Sequence, residues 1–360
     1  SIIFVVWNPL FKYIENVRAV LNKYFDIVGE VELDFENNHV AFTNSLLEIY
    51  DGNIAQNNND ESGILAKADL LSANYLSYKV IVVTNEEKNS NVDISMLSKK
   101  CKTEIRELFN HILPKETFCT VHSSDGEEET RYLGSILLSP NNIKHLKMRL
   151  TSSVSPVFLE KVRKISNFLN TKGISDKKEI CVIGTGVMNA LGVLDCPNSD
   201  LDFIIDFKYR ENFGWGAVKL SQEYDIGVSS KQANGPIHDN VIIYNDDYHF
   251  WYKGIKFANL GIIKDRKSSF ARQKDIKHFR QIELFEKMVG NFNQQKMLME
   301  RVEFERERRL HLSANSNACY PLKYKNIFEK LFSVKNHIAQ NKKYKIITIS
   351  GIKIKIRKKY

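Results

Sequence analysis

Cys181–Asp206, CVIGTGVMNALGVLDCPNSDLDFIID, is the stretch on which the reading of this 360-residue chain turns. An apolar run, Val182-Ile183, predicts a strand that breaks at Gly184-Thr185-Gly186, and Val187–Leu194 is compatible with a helix. A turn at Cys196-Pro197-Asn198-Ser199 leads into Asp200-Leu201-Asp202-Phe203-Ile204-Ile205-Asp206. In a strand, residues two apart point to one face, so Asp200 and Asp202 are neighbours while Leu201 and Phe203 point to the other side. Two carboxylates this close repel unless a cation lies between them, and hard oxygen ligands suit Mg²⁺ or Mn²⁺. A glycine turn facing such a pair lets backbone N–H groups approach a phosphate. The plain alternative is a surface strand with two solvated aspartates.

Composition sets the frame. The hydrophobic fraction of 43% is that of an ordinary globular protein. No apolar run approaches the roughly 20 residues that a membrane-spanning helix needs. Ser1–Trp7 is apolar but short and has no basic start, and reads as a first strand rather than a signal peptide. Five scattered cysteines without metal-ligand spacing fit reduced thiols in the cytoplasm. The net charge of +9 is uneven: from Lys323 onward, twelve Lys or Arg face one acid, Glu329, so the tail holds about +11 and the remainder about −2. Such a distribution suits an anionic surface such as membrane headgroups, and a nucleic-acid partner is not expected.

In order, Ser1–Phe35 reads strand, helix, strand, and His39–Tyr50 a helix. Asp51–Gly63 reads as a polar loop, Lys79–Thr84 as a buried strand and Met96–Leu113 as a helix. This succession predicts an α/β domain over residues 1–150. Within it, Phe118–Val121 reads as a strand running into His122-Ser123-Ser124-Asp125, with Ser124 or Asp125 capping a helix from Glu127 to Leu138. Capping accounts for Ser and Asp but not for His122, so His122 and Asp125 are candidates for binding a substrate hydroxyl or phosphate. Val157–Asn170 reads as a helix, Ala217–Asp225 as another, and Val241–Tyr244 as a third strand of the second domain, 151–288. Tyr248–Leu260 alternates as an aromatic strand, turns at Gly254 and enters a helix rich in Lys and Arg. Residues 289–360 comprise a charged helical stretch reaching Leu312 and a basic hairpin tail around Gly351.

The central stretch resembles the nucleotidyltransferase superfamily, the polymerase-β-like fold, through Ile183-Gly184-Thr185 followed by Asp200-Leu201-Asp202. Thr185 stands where Ser is usual and keeps a hydroxyl. Gly254-Ile255-Lys256-Phe257, Lys264, Arg266, Arg272, Lys274 and Asp275 resemble a run seen in sugar-associated members. The resemblance implies Mg²⁺ on Asp200 and Asp202, phosphate at Gly184, Thr185 and Gly186, and Lys256 stabilising the leaving phosphate. Ser199, His249 and Lys274 complete the substrate-binding candidates. A third carboxylate from a neighbouring strand is also implied, and Asp239 is preferred over Asp246 and Asp247. The Lys-Ile tail, Tyr344–Lys359, is similar to the end of many bacterial capsule and lipopolysaccharide glycosyltransferases.

The expectation is a mixed α/β enzyme transferring a phosphorus-containing group from a nucleotide-activated donor to a sugar or polyol in surface-polysaccharide synthesis. Its partners would be that donor, a glycan acceptor and, through the tail, a peripheral contact at the inner face of the membrane. Two alternatives stand beside it: nucleotidylation of a protein or nucleic acid, and a non-enzymatic glycan- or nucleotide-binding module.

Overall fold

Ile2–Trp7 (β1) is apolar at every position because it lies inside a sheet covered on both faces. In the computed structural model, β1 is flanked by Ser77–Thr84 (β3) and Val121–Ser123 (β4), and Asp26–Asp34 (β2) closes the order β2-β3-β1-β4, antiparallel throughout. Ile3, Val5 and Trp7 share one face with Tyr78 and Val80; Phe4 and Val6 share the other with Ile81 and Val83. The first face is covered by His39–Asn57 (α2), Glu61–Ser72 (α3) and Glu127–Leu137 (α5). The second is covered by Ile14–Tyr24 (α1) and Ile94–Phe109 (α4). The structure describes residues 1–36, 38–57, 61–72, 75–85, 93–111, 119–149, 154–174, 177–194, 200–214, 216–227, 237–270 and 272–290, and three further strands between 332 and 357.

The polar stretch expected to be a loop after Tyr50 instead continues α2 to Asn57. The cap expected of Ser124 or Asp125 is also made differently. Gly126 is the N-cap of α5, and Glu129 reaches back to accept the Asp125 N–H at 2.6 Å. The Ser124 hydroxyl is engaged by the Ile3 N–H at 3.0 Å.

The second sheet has the order β7-β8-β6-β5-β10-β9. Its strands are Ile180–Val182 (β5), Leu201–Ile205 (β6), Val218–Lys219 (β7), Tyr224–Ile226 (β8), His249–Tyr252 (β9) and Ile255–Ala258 (β10). β5 and β6 are antiparallel, and β6 with β8 and β5 with β10 are parallel. Pro156–Thr171 (α7), Thr185–Ala190 (α8), Phe207–Arg210 (α9), Asp239–Tyr244 (α10), Leu260–Phe270 (α11) and Gln273–Gly290 (α12) complete this half.

Two expectations are overturned here. Ala217–Asp225 is not a helix but the strand pair β7 and β8. Val241–Tyr244 is not a strand but lies in α10, where His238 caps the first turn and Ile242 and Ile243 are buried while Val241 and Tyr244 stay exposed. The β-branched run is thus overridden by the cap and by burial of two adjacent residues.

Pro140–Met148 (α6), capped by Ser139, joins the two sheets. β9 ends the second sheet, and its free edge is satisfied by α6 side chains. Asn142 Oδ1 accepts from the Trp251 N–H at 2.7 Å, and Asn141 donates to His249 O at 2.6 Å. At the end of α6, Arg149 donates to Glu48 of α2 at 2.8 Å and to Trp251 O at 3.1 Å, and stacks over Tyr252. Glu48, fully buried, also accepts from the Tyr132 hydroxyl at 3.2 Å and the Lys253 N–H at 3.0 Å.

Residues 1–290 lie in one compact unit, and a second unit holds the tail. The tail is a three-stranded antiparallel meander of Phe332–Ala339 (β11), Lys342–Ile349 (β12) and Ile352–Arg357 (β13). The expected hairpin about Gly351 corresponds to β12 and β13, to which β11 adds a strand not read from sequence. The part of the expected charged helical stretch beyond Gly290 lies outside the described residues.

Breaking a buried ion pair from one side leaves an uncompensated charge, so Arg149→Met should lower stability by about 3–5 kcal/mol. Adding Glu48→Gln should recover part of that loss, as measured by denaturant unfolding.

Candidate metal centre

The site begins with strand register. β6 and β8 run parallel with Leu201 opposite Tyr224, Asp202 opposite Asp225 and Phe203 opposite Ile226. The apolar partners are buried on one face, which forces both aspartates to the other. Asp200, two residues before Asp202, joins them. One carboxylate oxygen from each of Asp200, Asp202 and Asp225 lies within 4.8 Å of the others, each side chain half-buried. Asp225 is the third carboxylate, on the neighbouring strand. Asp239, preferred for that role from sequence, begins α10 instead and stands outside the cluster; its charge acts on Arg210 and Arg266. A strand over Val241–Tyr244 would favour Asp239 and a helix over 217–225 would hide Asp225, and neither element forms. Tyr224-Asp225-Ile226 repeats the apolar-acid-apolar pattern of Leu201-Asp202-Phe203 and was the signal available.

The glycine turn closes directly on this cluster. Ile183 N–H donates to Asp202 O at 2.8 Å, and the next residue, Gly184, has φ +69°. A Cβ on Gly184 would lie 2.8 Å from Asp202 Oδ2, closer than any side chain tolerates. Thr185 and Gly186 open the short α8, whose Val187, Met188 and Ala190 anchor it in the core. Ser199 lies outside the described residues.

Charge repulsion is visible in the acidities. Burial first, and the charge of Asp200 next, push the Asp202 carboxyl above the ordinary range. Burial followed by Asp200 does the same to Asp225. Asp225 Oδ1 is buried and has no hydrogen-bond partner among the described residues. A cation held by three carboxylates would satisfy that oxygen and relieve the repulsion, so the donor set fits a hard divalent ion. The cations whose charge acts on Asp202 are Arg266 and Lys267 of α11. Lys267 is fixed by the fully buried Asp275 at 2.9 Å, which also holds Arg272.

The remaining candidates stand elsewhere. Lys256 donates to Lys178 O at 2.8 Å and Ile243 O at 2.7 Å, and lies over the Tyr244 and Trp251 rings. It therefore ties the end of α10 to β10, in place of the expected phosphate contact. His249 is buried against Ile242 O at 2.9 Å and Asp246 at 3.2 Å; burial first, and Lys256 next, lower its pKa to about 4, so it is neutral at physiological pH. Lys274 is exposed on α12, and its charge acts on Lys267.

His122 and Asp125 belong to the first sheet. His122 meets Glu129 at 3.3 Å and packs edge-on to Tyr50, whose hydroxyl accepts from Lys67 at 2.6 Å. Asp125 pairs with Lys102 at 3.1 Å. A cleft of about 650 Å³ between Phe35, Asn38, Pro140, Ile143, Lys147 and Val289 is lined by none of the three aspartates. Comparison with known protein families, curated proteins and solved structures finds no match.

An acid whose folded pKa is raised costs the fold fully above that pKa and nothing below its unfolded value. Asp225→Asn should therefore melt higher than wild type in EDTA at neutral pH, with the gap closing as pH falls through the carboxylate range. With excess Mg²⁺ the order should reverse, read by thermal unfolding across pH. Gly184→Ala should lower the melting temperature and the Mg²⁺ response together, because the new Cβ displaces the Asp202 carboxylate.

Proposed function

We propose that the chain is a divalent-cation-dependent transferase of a phosphorus-containing group, acting between a nucleotide-activated donor and a sugar or polyol acceptor. The observation that carries this reading is the parallel register of Asp202 with Asp225, which adds a third carboxylate from a neighbouring strand to the Asp200–Asp202 pair. The nucleotidyltransferase-like sequence pattern implies that same arrangement, and the φ +69° glycine turn against Asp202 is in keeping with it.

Asp200, Asp202 and Asp225 would hold Mg²⁺ or Mn²⁺. A bound ion of this kind neutralises donor phosphate charge and lowers the pKa of an acceptor hydroxyl. Gly184 leaves the backbone close to the carboxylates with no side chain in the way. Arg266 and Lys267 place positive charge beside the cluster, where negative charge develops during phosphoryl transfer. Lys267 is kept in position by Asp275. Among the described residues, no helix is long and apolar enough to cross a membrane. The basic tail is the part of the chain we assign to an anionic membrane surface, at about 1 kcal/mol for each basic residue close to the headgroups. The bacterial surface-glycan setting rests on the likeness of that tail.

Thermal unfolding with CTP, UTP, ATP and their diphosphate-linked sugars or polyols, each with and without Mg²⁺, tests the assignment. One donor class should stabilise the wild type only when Mg²⁺ is present, by about 2.7 kcal/mol at a hundredfold excess over Kd. Asp202→Asn should remove that response. The absence of a metal-dependent shift with every donor would sink the enzyme reading.

A further inference from the structure

β2 ends the first sheet, and among the described residues no strand pairs with its outer edge. It is nine residues long, more than an average strand, and Gly29 to Asp34 pair with β3 without a break. The main chain along this edge meets water. Glu30 is exposed as a residue although its side chain is only 19% exposed, so its backbone accounts for the rest. Val28 and Val31 are 65% and 38% exposed, and a Cβ on Gly29 would meet nothing within 4 Å. Such an edge offers a row of N–H and C=O groups to another extended chain. Folded proteins usually guard it with lysine, proline or a bulge. β2 has no lysine or proline, and its register shift lies between Ile27 and Gly29, ahead of the regular run.

The two faces of β2 say which chain fits. Val31 lies opposite Val80 and Leu33 opposite Tyr78, so these two continue the apolar row covered by α2 and α3. Glu30 lies opposite Ile81 and Glu32 opposite Lys79, on the face that α1 covers. There Arg18 of α1 meets Glu30 at 2.8 Å and Lys79 meets Glu32 at 2.8 Å. Along this row Glu30, Glu32 and Asp34, with Glu15 of α1 on Arg18, outnumber Arg18 and Lys79 by two charges. The edge is therefore aliphatic on one face and acidic on the other, and alternates between them with the strand period.

We propose that β2 accepts, by strand addition, an extended segment of a partner protein in which aliphatic and basic residues alternate. Main-chain hydrogen bonds to Gly29–Asp34 supply the attachment. The aliphatic side chains extend the Val31–Leu33 row, and the basic ones lie across from Glu30 and Glu32, where opposite charges on neighbouring strands attract. A second copy of β2 does not meet this requirement, because it would set Glu30, Glu32 and Asp34 against the same acids.

The probe is a fluorescein-labelled synthetic peptide of sequence VKVKVKV, titrated against the full chain by fluorescence anisotropy. Its fully N-methylated form keeps the charges and loses every main-chain donor, and VEVEVEV reverses the charge. Wild type should bind VKVKVKV about tenfold or more tighter than the N-methylated form, the loss of two or three main-chain hydrogen bonds. On binding, the amides of Val28–Asp34 should exchange more slowly with solvent deuterium. Glu32→Lys should weaken VKVKVKV about two- to thirtyfold, as one cross-strand pair turns from attraction to repulsion, and should strengthen VEVEVEV. Glu32→Gln should fall between, and carries the test if Glu32→Lys does not fold. The proposal is overturned if the N-methylated peptide binds as well, if VEVEVEV binds wild type equally, or if protection appears elsewhere on the chain. It is equally overturned if a folded Glu32 variant binds VKVKVKV as wild type does. A wild-type dimer with protected β2 amides in the absence of peptide would give the edge to a second copy and overturn it too.

Discussion

The Glu48 carboxylate is the constraint around which the two sheets are arranged. It has no exposure to water, and a charge in that position persists only when its bonds are supplied from within the protein. They come from three places: Arg149 at the end of α6, Tyr132 of α5 and the backbone of Lys253 after β9. Arg149 also donates through Nη2 to Trp251 O. A helix of the first half and the edge strand of the second are therefore joined by one buried charge pair and not by apolar contact alone. The same interface covers the open edge of β9, where Asn141 and Asn142 take the hydrogen bonds that another strand would otherwise offer.

At the other end of the second sheet the logic is reversed. There like charges are gathered rather than paired, and the pKa values of Asp202 and Asp225 rise because the fold buries them and confines them beside Asp200. The strand faces explain how the chain tolerates this. Leu201, Phe203, Tyr224 and Ile226 are packed into the core on the opposite side, and their burial fixes the pleat that holds the acids together. Apolar burial thus bears the cost of the repulsion, as sites built for binding generally require.

The sequence disclosed what depends on local pattern. β1, β3, α7, the glycine turn and the Asp200–Asp202 pair are all written in short runs of alternating or periodic residues. What stayed hidden depends on partners far along the chain. Val241–Tyr244 looks like a strand by composition, yet becomes helical because His238 caps it and Lys256 binds its last turn from β10. β7 and β8 are too short to announce themselves, so Asp225 passed as a helix end. α6 escaped notice, although Ser139-Pro140 is a helix start in plain view. His122 stands out in sequence because helix capping does not account for it, and Lys256 because of the motif around it, yet burial beside Glu129 and two backbone carbonyls give each a local task.

β8 is three residues long and joins β6 through three paired positions, with only the two-residue β7 beyond it. Short strands near a sheet margin lie at the low end of local stability. Of the three carboxylates, then, one arrives on the least firmly held strand. Any ligand that engages all three must also fasten that strand, so occupancy of the centre and order at the sheet margin become a single linked equilibrium.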